Sequence, residues 1–196
     1  MSETINNKHL ESVFKSLLPA LECKNIDYWV FAGVGIAGCI GHFIRKNKDV
    51  DIFVKESNYD NAISILKTVC SIREELKCFC RKPIVRSCYS RPKFEVRTYP
   101  YGKRDKIFSI IPIFEKSDCV TFVFEKTKDF QKEVLHRVTR VVQDYKFISP
   151  PDESIKQIFL YCLSERPDWI KRKDKRTDGR AILTPIEFDN YFQTHT

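Results

Sequence analysis

The spacing of apolar positions changes several times along the chain. Leu10, Val13, Phe14, Leu17, Leu18 and Leu21 recur at steps of three and four. That spacing predicts an amphipathic, core-packing helix over residues 9–24. Residues 28–32 are a continuous apolar run and read as a strand, followed by a short helix over 35–43. After the basic loop 45–48, a second strand opens at Asp49. Alternation puts Asp49, Asp51 and Phe53 on one face, and Val50, Ile52 and Val54 on the other. Residues 58–70 form another helix, with Ala62, Ile65, Leu66 and Val69 inward and Ser57 or Asn58 as its cap.

From residue 78 to 125 the period becomes two. The expected strands are 82–88, 93–99, 106–114 and 120–124. Turns are marked by Arg91-Pro92, Tyr101-Gly102-Lys103 and Lys116-Ser117-Asp118. Pro112 inside a strand predicts an edge or a bulge. Over 129–145, Phe130, Val134, Val138, Val141 and Val142 fit a helix. The β-branched run 138–142, followed by Phe147 and Ile148, also fits a strand pair; a helix followed by a strand is the expectation. Ser149-Pro150-Pro151-Asp152-Glu153 stops one element and starts a helix over 154–164. The tail from Thr184 reads as one short helix. The chain is thus expected to be α/β (α+β): a mixed β-sheet flanked by helices over residues 1–148, with a C-terminal helical extension, 149–196, packed on the same domain.

At 196 residues, with 42% apolar and 31% charged positions, the chain can bury a core and is not disordered. Its net charge of +8 favours polyanionic partners such as nucleotides or RNA, or else a solvated basic face. The eight cysteines include no Cys-x-x-Cys, and several sit in apolar runs. They are read as free thiols in a reducing, cytoplasmic compartment. The polar start does not read as a signal peptide, and no apolar run reads as a membrane span.

The chemistry concentrates in residues 31–54. Four of the six glycines, Gly33, Gly35, Gly38 and Gly41, fall where the first strand meets its helix. Glycine allows a close backbone approach, and a helix beginning there aims free N–H groups at an anion. Asp49 and Asp51, crowded at a strand mouth, repel unless a cation such as Mg²⁺ or Mn²⁺ lies between them. A dinucleotide fingerprint is the rival: Gly33, Gly35 and Gly38 satisfy Gly-x-Gly-x-x-Gly. That pattern needs an acid about twenty residues on, at the end of the next strand. Here two acids open it.

The order of apolar strand, Ala32-Gly33, helix and loop, then Arg45-Lys46-Asn47-Lys48-Asp49-Val50-Asp51 resembles the nucleotidyltransferase superfamily. It is most similar to the minimal members: aminoglycoside and lincosamide nucleotidyltransferases, and abortive-infection toxins of the AbiEii type. Ala32 stands where that family carries its first Gly. Ser149 to Glu153, Lys156, and Arg172, Lys173 and Asp174 with Asp178 loosely follow the toxin-type motifs. The resemblance implies a nucleotidyltransferase-like mixed sheet that transfers a nucleoside monophosphate from a triphosphate to a hydroxyl acceptor. Asp49 and Asp51 would be catalytic and hold Mg²⁺ or Mn²⁺. Gly33, Val34, Arg45, Lys156 and Lys173 would bind the nucleotide.

The third carboxylate of the family should lie on a neighbouring strand. Glu95 is one choice, placed to take the acceptor's proton; exposed pairing with Arg97 is the structural reading of it. In the other alignment, Ile107-Phe108-Ser109-Ile110-Ile111-Pro112 matches the family's acid-bearing strand. Ser109 then takes the acid's place, leaving Asp105 or Glu95 to be recruited. The segment 171–180 carries six basic and two acidic residues. It suits a triphosphate or the backbone of RNA or tRNA, or is a solvated loop. The alternative function is a catalytically inactive nucleotidyltransferase-type fold that binds nucleotide, RNA or a partner protein. A toxin role is implied by the resemblance alone.

Overall fold

The computed structural model describes residues 6–69, 72–76, 94–98, 108–123 and 127–165. The expected strand 82–88, the basic segment 171–180 and the helix after Thr184 lie outside them. The predicted N-terminal helix is present but uneven. A 3₁₀ turn, Lys8–Leu10, leads through a π-helical stretch, Val13–Leu17, into α1, Leu18–Glu22. Pro19 offers no N–H to the preceding turn. The chain widens there, and the Leu18 N–H bonds back to the Val13 carbonyl.

The central sheet holds β1 (Tyr28–Phe31), β2 (Val50–Lys55), β5 (Phe108–Glu115), β6 (Cys119–Val123) and β7 (Thr127–Gln131), in the order β1-β2-β5-β6-β7. Only β2 and β5 pair in parallel. Between them run α3 (Tyr59–Val69) and the antiparallel pair β3 (Ile72–Leu76) and β4 (Phe94–Thr98), with β4 alongside β5. α2 (Ala32–Ile40) links β1 to β2, and α4 (Asp152–Glu165) closes the described chain.

The alternation read for β2 holds. Val50, Ile52 and Val54 join Tyr28, Val30, Phe108 and Ile110 in a core covered by the N-terminal helical segment and α3. Phe53 faces the other way, with Trp29, Phe31, Ile111 and Ile113, against Ile158 and Cys162 of α4. α4 also packs Ile155, Phe159 and Leu163 on Ile36 and Ile40 of α2.

Two expectations are corrected. Residues 129–145 contain no α-helix. After β7 comes a 3₁₀ turn, Lys132–Leu135, and then the hairpin β8 (Val138–Val142) and β9 (Tyr145–Ser149). The β-branched run decides the matter, because its residues suit a pleated surface. Val142 and Phe147 of the hairpin are fully buried, and Tyr145 stacks on Phe14 at 4.5 Å between ring centroids. Pro112 lies in an interior strand, not an edge. β6 pairs with β5 only over Ile113–Glu115, so the missing Pro N–H falls just beyond that ladder.

Candidate active site

The site forms where β1 ends. Ala32 has φ +55°, in the left-handed region, and turns the chain directly from Phe31 into α2. Gly33 follows. A Cβ there would lie 2.3 Å from Asn47 Oδ1 and 2.9 Å from Arg45 Nη2, so glycine is what admits those side chains. Arg45 and its loop are thereby brought against the Gly33 turn. The N–H of Val34 belongs to the same first helical turn, while its side chain is buried.

The loop bearing Arg45 is fixed by residues that sequence reasoning missed. The Asn47 N–H donates to Asn7 Oδ1 at 2.7 Å, and Asn7 Nδ2 donates to the Arg45 carbonyl at 3.3 Å. Asn47 Nδ2 reaches the same carbonyl at 3.3 Å. The His9 ring lies 2.8 Å, through Nε2, from the Asn47 carbonyl oxygen. Asn7 and Asn47 are both buried. Their contacts satisfy backbone groups that a tight loop would otherwise leave unpaired.

Asp49 stands immediately before β2 and Asp51 lies within it; both are half-buried. In the sheet Asp51 is flanked by Phe31 of β1 on one side and Ser109 of β5 on the other. Phe31 and Phe53 stack at 3.7 Å, forming an apolar floor below the carboxylate. Ser109 shares this face, because Phe108 and Ile110 point into the opposite core. It is fully buried, and its hydroxyl has no hydrogen-bond partner among the described residues. The register is that of the second alignment considered above, with Ser109 beside Asp51.

Glu95 lies on β4, opposite Glu75. Lys156 is half-buried on α4, next to Ile155, whose Cδ1 would come within 3.3 Å of a Cβ on Gly35. Lys173 lies outside the described residues. Near α2, Arg140 Nε donates to Ser149 Oγ at 2.9 Å and Nη2 to the Pro150 carbonyl at 3.1 Å, with Asp152 as a further partner. This ties the β8–β9 hairpin to the start of α4. Burial pushes the neighbouring Cys39 thiol up to about 12.

Among the described residues no three Asp, Glu, His or Cys side chains converge as a ready-made metal cage. The oxygen donors at this point are two carboxylates and the unpartnered Ser109 hydroxyl. That set fits Mg²⁺, which is commonly held by one or two carboxylates together with substrate phosphates.

No family model and no curated protein matches the chain. Solved structures do. One is a lincomycin-bound lincosamide antibiotic adenylyltransferase, LnuA: 16% identity, TM-score 0.57, covering 99% of this chain and 100% of that one. Another is ANT(2″)-Ia in complex with adenylyl-2″-tobramycin: 13% identity, TM-score 0.55, covering 95% and 86%. A third is an antigenic nucleotidyltransferase-like protein from Paracoccidioides brasiliensis: 14% identity, TM-score 0.51, covering 97% and 76%. The chain therefore has the fold of the nucleotidyltransferase superfamily. Its mixed sheet with flanking helices is the architecture expected from the sequence.

Proposed function

We propose that the protein transfers a nucleoside monophosphate from a nucleoside triphosphate to a hydroxyl acceptor, with a divalent metal ion. The observation that carries this reading is the meeting of Arg45 and the Gly33 turn at the head of β2, where Asp49 and Asp51 stand. Backbone N–H groups from Gly33 and Val34 receive phosphate oxygens, and Arg45 neutralises their charge. Lys156 and Lys173 supply further positive charge to the nucleotide. Asp49 and Asp51 would hold Mg²⁺ or Mn²⁺, which when bound offsets charge developing on the phosphates. The acceptor oxygen bonds to the α-phosphorus, the bond to the β-phosphate oxygen breaks, and pyrophosphate leaves. Glu95 takes the acceptor's proton. Positioning and charge neutralisation do most of the work.

The net charge of +8 and the basic segment 171–180 favour RNA, tRNA included, as acceptor. They argue against a polycation such as the tobramycin of the ANT(2″)-Ia complex. None of the four described cysteines, Cys23, Cys39, Cys119 and Cys162, is in a disulfide, in keeping with a cytoplasmic setting. No helix among the described residues is long and apolar enough to cross a membrane.

The test is substitution. Asp49→Ala and Asp51→Ala should each abolish metal-dependent turnover and leave the melting temperature within about 2 °C of wild type, as for half-exposed positions outside the core. Normal turnover in either variant would sink the mechanism. A second reading, nucleotide binding without transfer, is favoured by one observation: the neutral Ser109 beside Asp51. Triphosphate binding without turnover in the wild type selects it. A toxin role predicts that expression arrests growth and that Asp49→Ala restores it.

A further inference from the structure

We infer that this is a one-ion site, and that Ser109 is the residue that makes it so. The inference rests on the reading above that Asp49 and Asp51 hold a divalent cation. The two carboxylates together carry the charge that one such ion neutralises. The triphosphate's oxygens serve one ion beside the two carboxylates; a second ion about 4 Å away, at the attacking oxygen, needs a further anionic ligand from the protein. In a sheet that ligand comes from the adjoining strand at the same level and on the same face. Asp51 has two such neighbours. Phe31 has no donor, and Ser109 has a neutral hydroxyl.

The hydroxyl is well placed and chemically insufficient. Ser109 is fully buried, in parallel register with Asp51 and on its face, and no described group accepts or donates a hydrogen bond there. A buried polar group left unsatisfied is costly, so its presence beside the acid pair points to a partner in the occupied site. A hydroxyl can donate to a phosphate or carboxylate oxygen, or accept from a water of the ion's shell. It cannot supply the negative charge that a second dication needs. Ser109 thus trades an ion-binding ligand for a hydrogen-bonding one.

Electron paramagnetic resonance of the full chain with Mn²⁺ and a non-hydrolysable triphosphate tests this without reference to turnover. Wild type should bind one Mn²⁺ per chain at the site, with the six-line spectrum of an isolated ion. Ser109→Asp should take up a second Mn²⁺ and show the broadened, coupled spectrum of a close pair. Ser109→Ala should keep the single ion. A coupled pair in the wild type overturns the inference, as does a correctly folded Ser109→Asp variant that still binds one ion. Loss of the ion in Ser109→Ala overturns the secondary role given to the hydroxyl. If Ser109→Asp does not fold, the wild type and Ser109→Ala still decide. No protein-bound Mn²⁺ in the wild type removes the underlying metal reading instead, a distinct result.

Discussion

Asn7 and Asn47, forty residues apart in the chain, are joined by a buried hydrogen bond of 2.7 Å from the Asn47 N–H to the Asn7 side-chain oxygen. Through it the N-terminal segment holds the loop that carries Arg45 to the Gly33 turn. Asn7→Ala leaves that N–H buried without an acceptor, at about 1–3 kcal/mol. The melting temperature should fall by about 5 °C, given roughly 2–4 °C per kcal/mol at this size. Triphosphate affinity should fall as well, because the loop is released where the proposed nucleotide site lies. An unchanged melt would show that the bond holds nothing in place.

Ala32 adopts φ +55°, where a Cβ is strained and glycine is not. Ala32→Gly removes strain of about 1–2 kcal/mol and adds unfolded-state entropy of about 0.4–1 kcal/mol. The net expectation is a gain of about 0.5–1 kcal/mol, read as a rise of roughly 2 °C in thermal melting. A lower melting temperature would contradict the strained-turn account.

Gly33→Ala acts at the next position in the opposite sense. The new methyl must displace Arg45 and the buried, hydrogen-bonded Asn47. Triphosphate binding should weaken by about tenfold or more, equivalent to about 1.4 kcal/mol, while the far core stays folded. Equilibrium titration with a fluorescent triphosphate, alongside a melt, separates the two effects. Undiminished affinity would detach the Gly33 turn from the phosphate.

The stretch from Tyr28 to Val54 was legible because its signals are local: an apolar run, clustered glycines, and acids at alternate positions of one strand; only its helix is displaced, running over Ala32–Ile40 instead of the expected 35–43. The Asn7–Asn47 bond was not, since nothing in either residue's neighbourhood announces a partner forty positions away. The hairpin β8–β9 was obscured twice. Phe130, Val134, Val138 and Val142 mimic a helical stripe by coincidence of spacing. Its turn also carries Gln143 at φ +54°, where glycine usually marks a hairpin. The Ser109 register was visible as one of two alignments, and the parallel pairing of β2 with β5 settles which residue adjoins Asp51. That pairing spans more than fifty residues of sequence, beyond the reach of periodicity.

The thiols give a check on burial. Cys39, packed near Arg140 and Asp152, is pushed up to about 12 by burial, whereas Cys23 is exposed. A raised folded-state value favours the neutral thiol in the native chain. The corresponding stability is complete below the ordinary thiol range and is lost as pH rises from about 9 towards 12. Native protein at pH 8 should therefore alkylate at Cys23 well before Cys39, and Cys39→Ala should flatten part of the alkaline loss of stability. Peptide mapping after timed alkylation reads the first, and melts from pH 8 to 10 the second. Equal labelling of the two would contradict the packing of α2 against α4 and the hairpin.

The most direct test of the central claim is incubation of the purified chain with each α-labelled nucleoside triphosphate, Mg²⁺ and bulk tRNA, beside an Asp49→Ala/Asp51→Ala control. The account predicts label in RNA with the wild type only, lost on chelation of the metal. Wild-type triphosphate binding with no label transferred to RNA, protein or small molecule would contradict transfer and leave a nucleotide-binding protein.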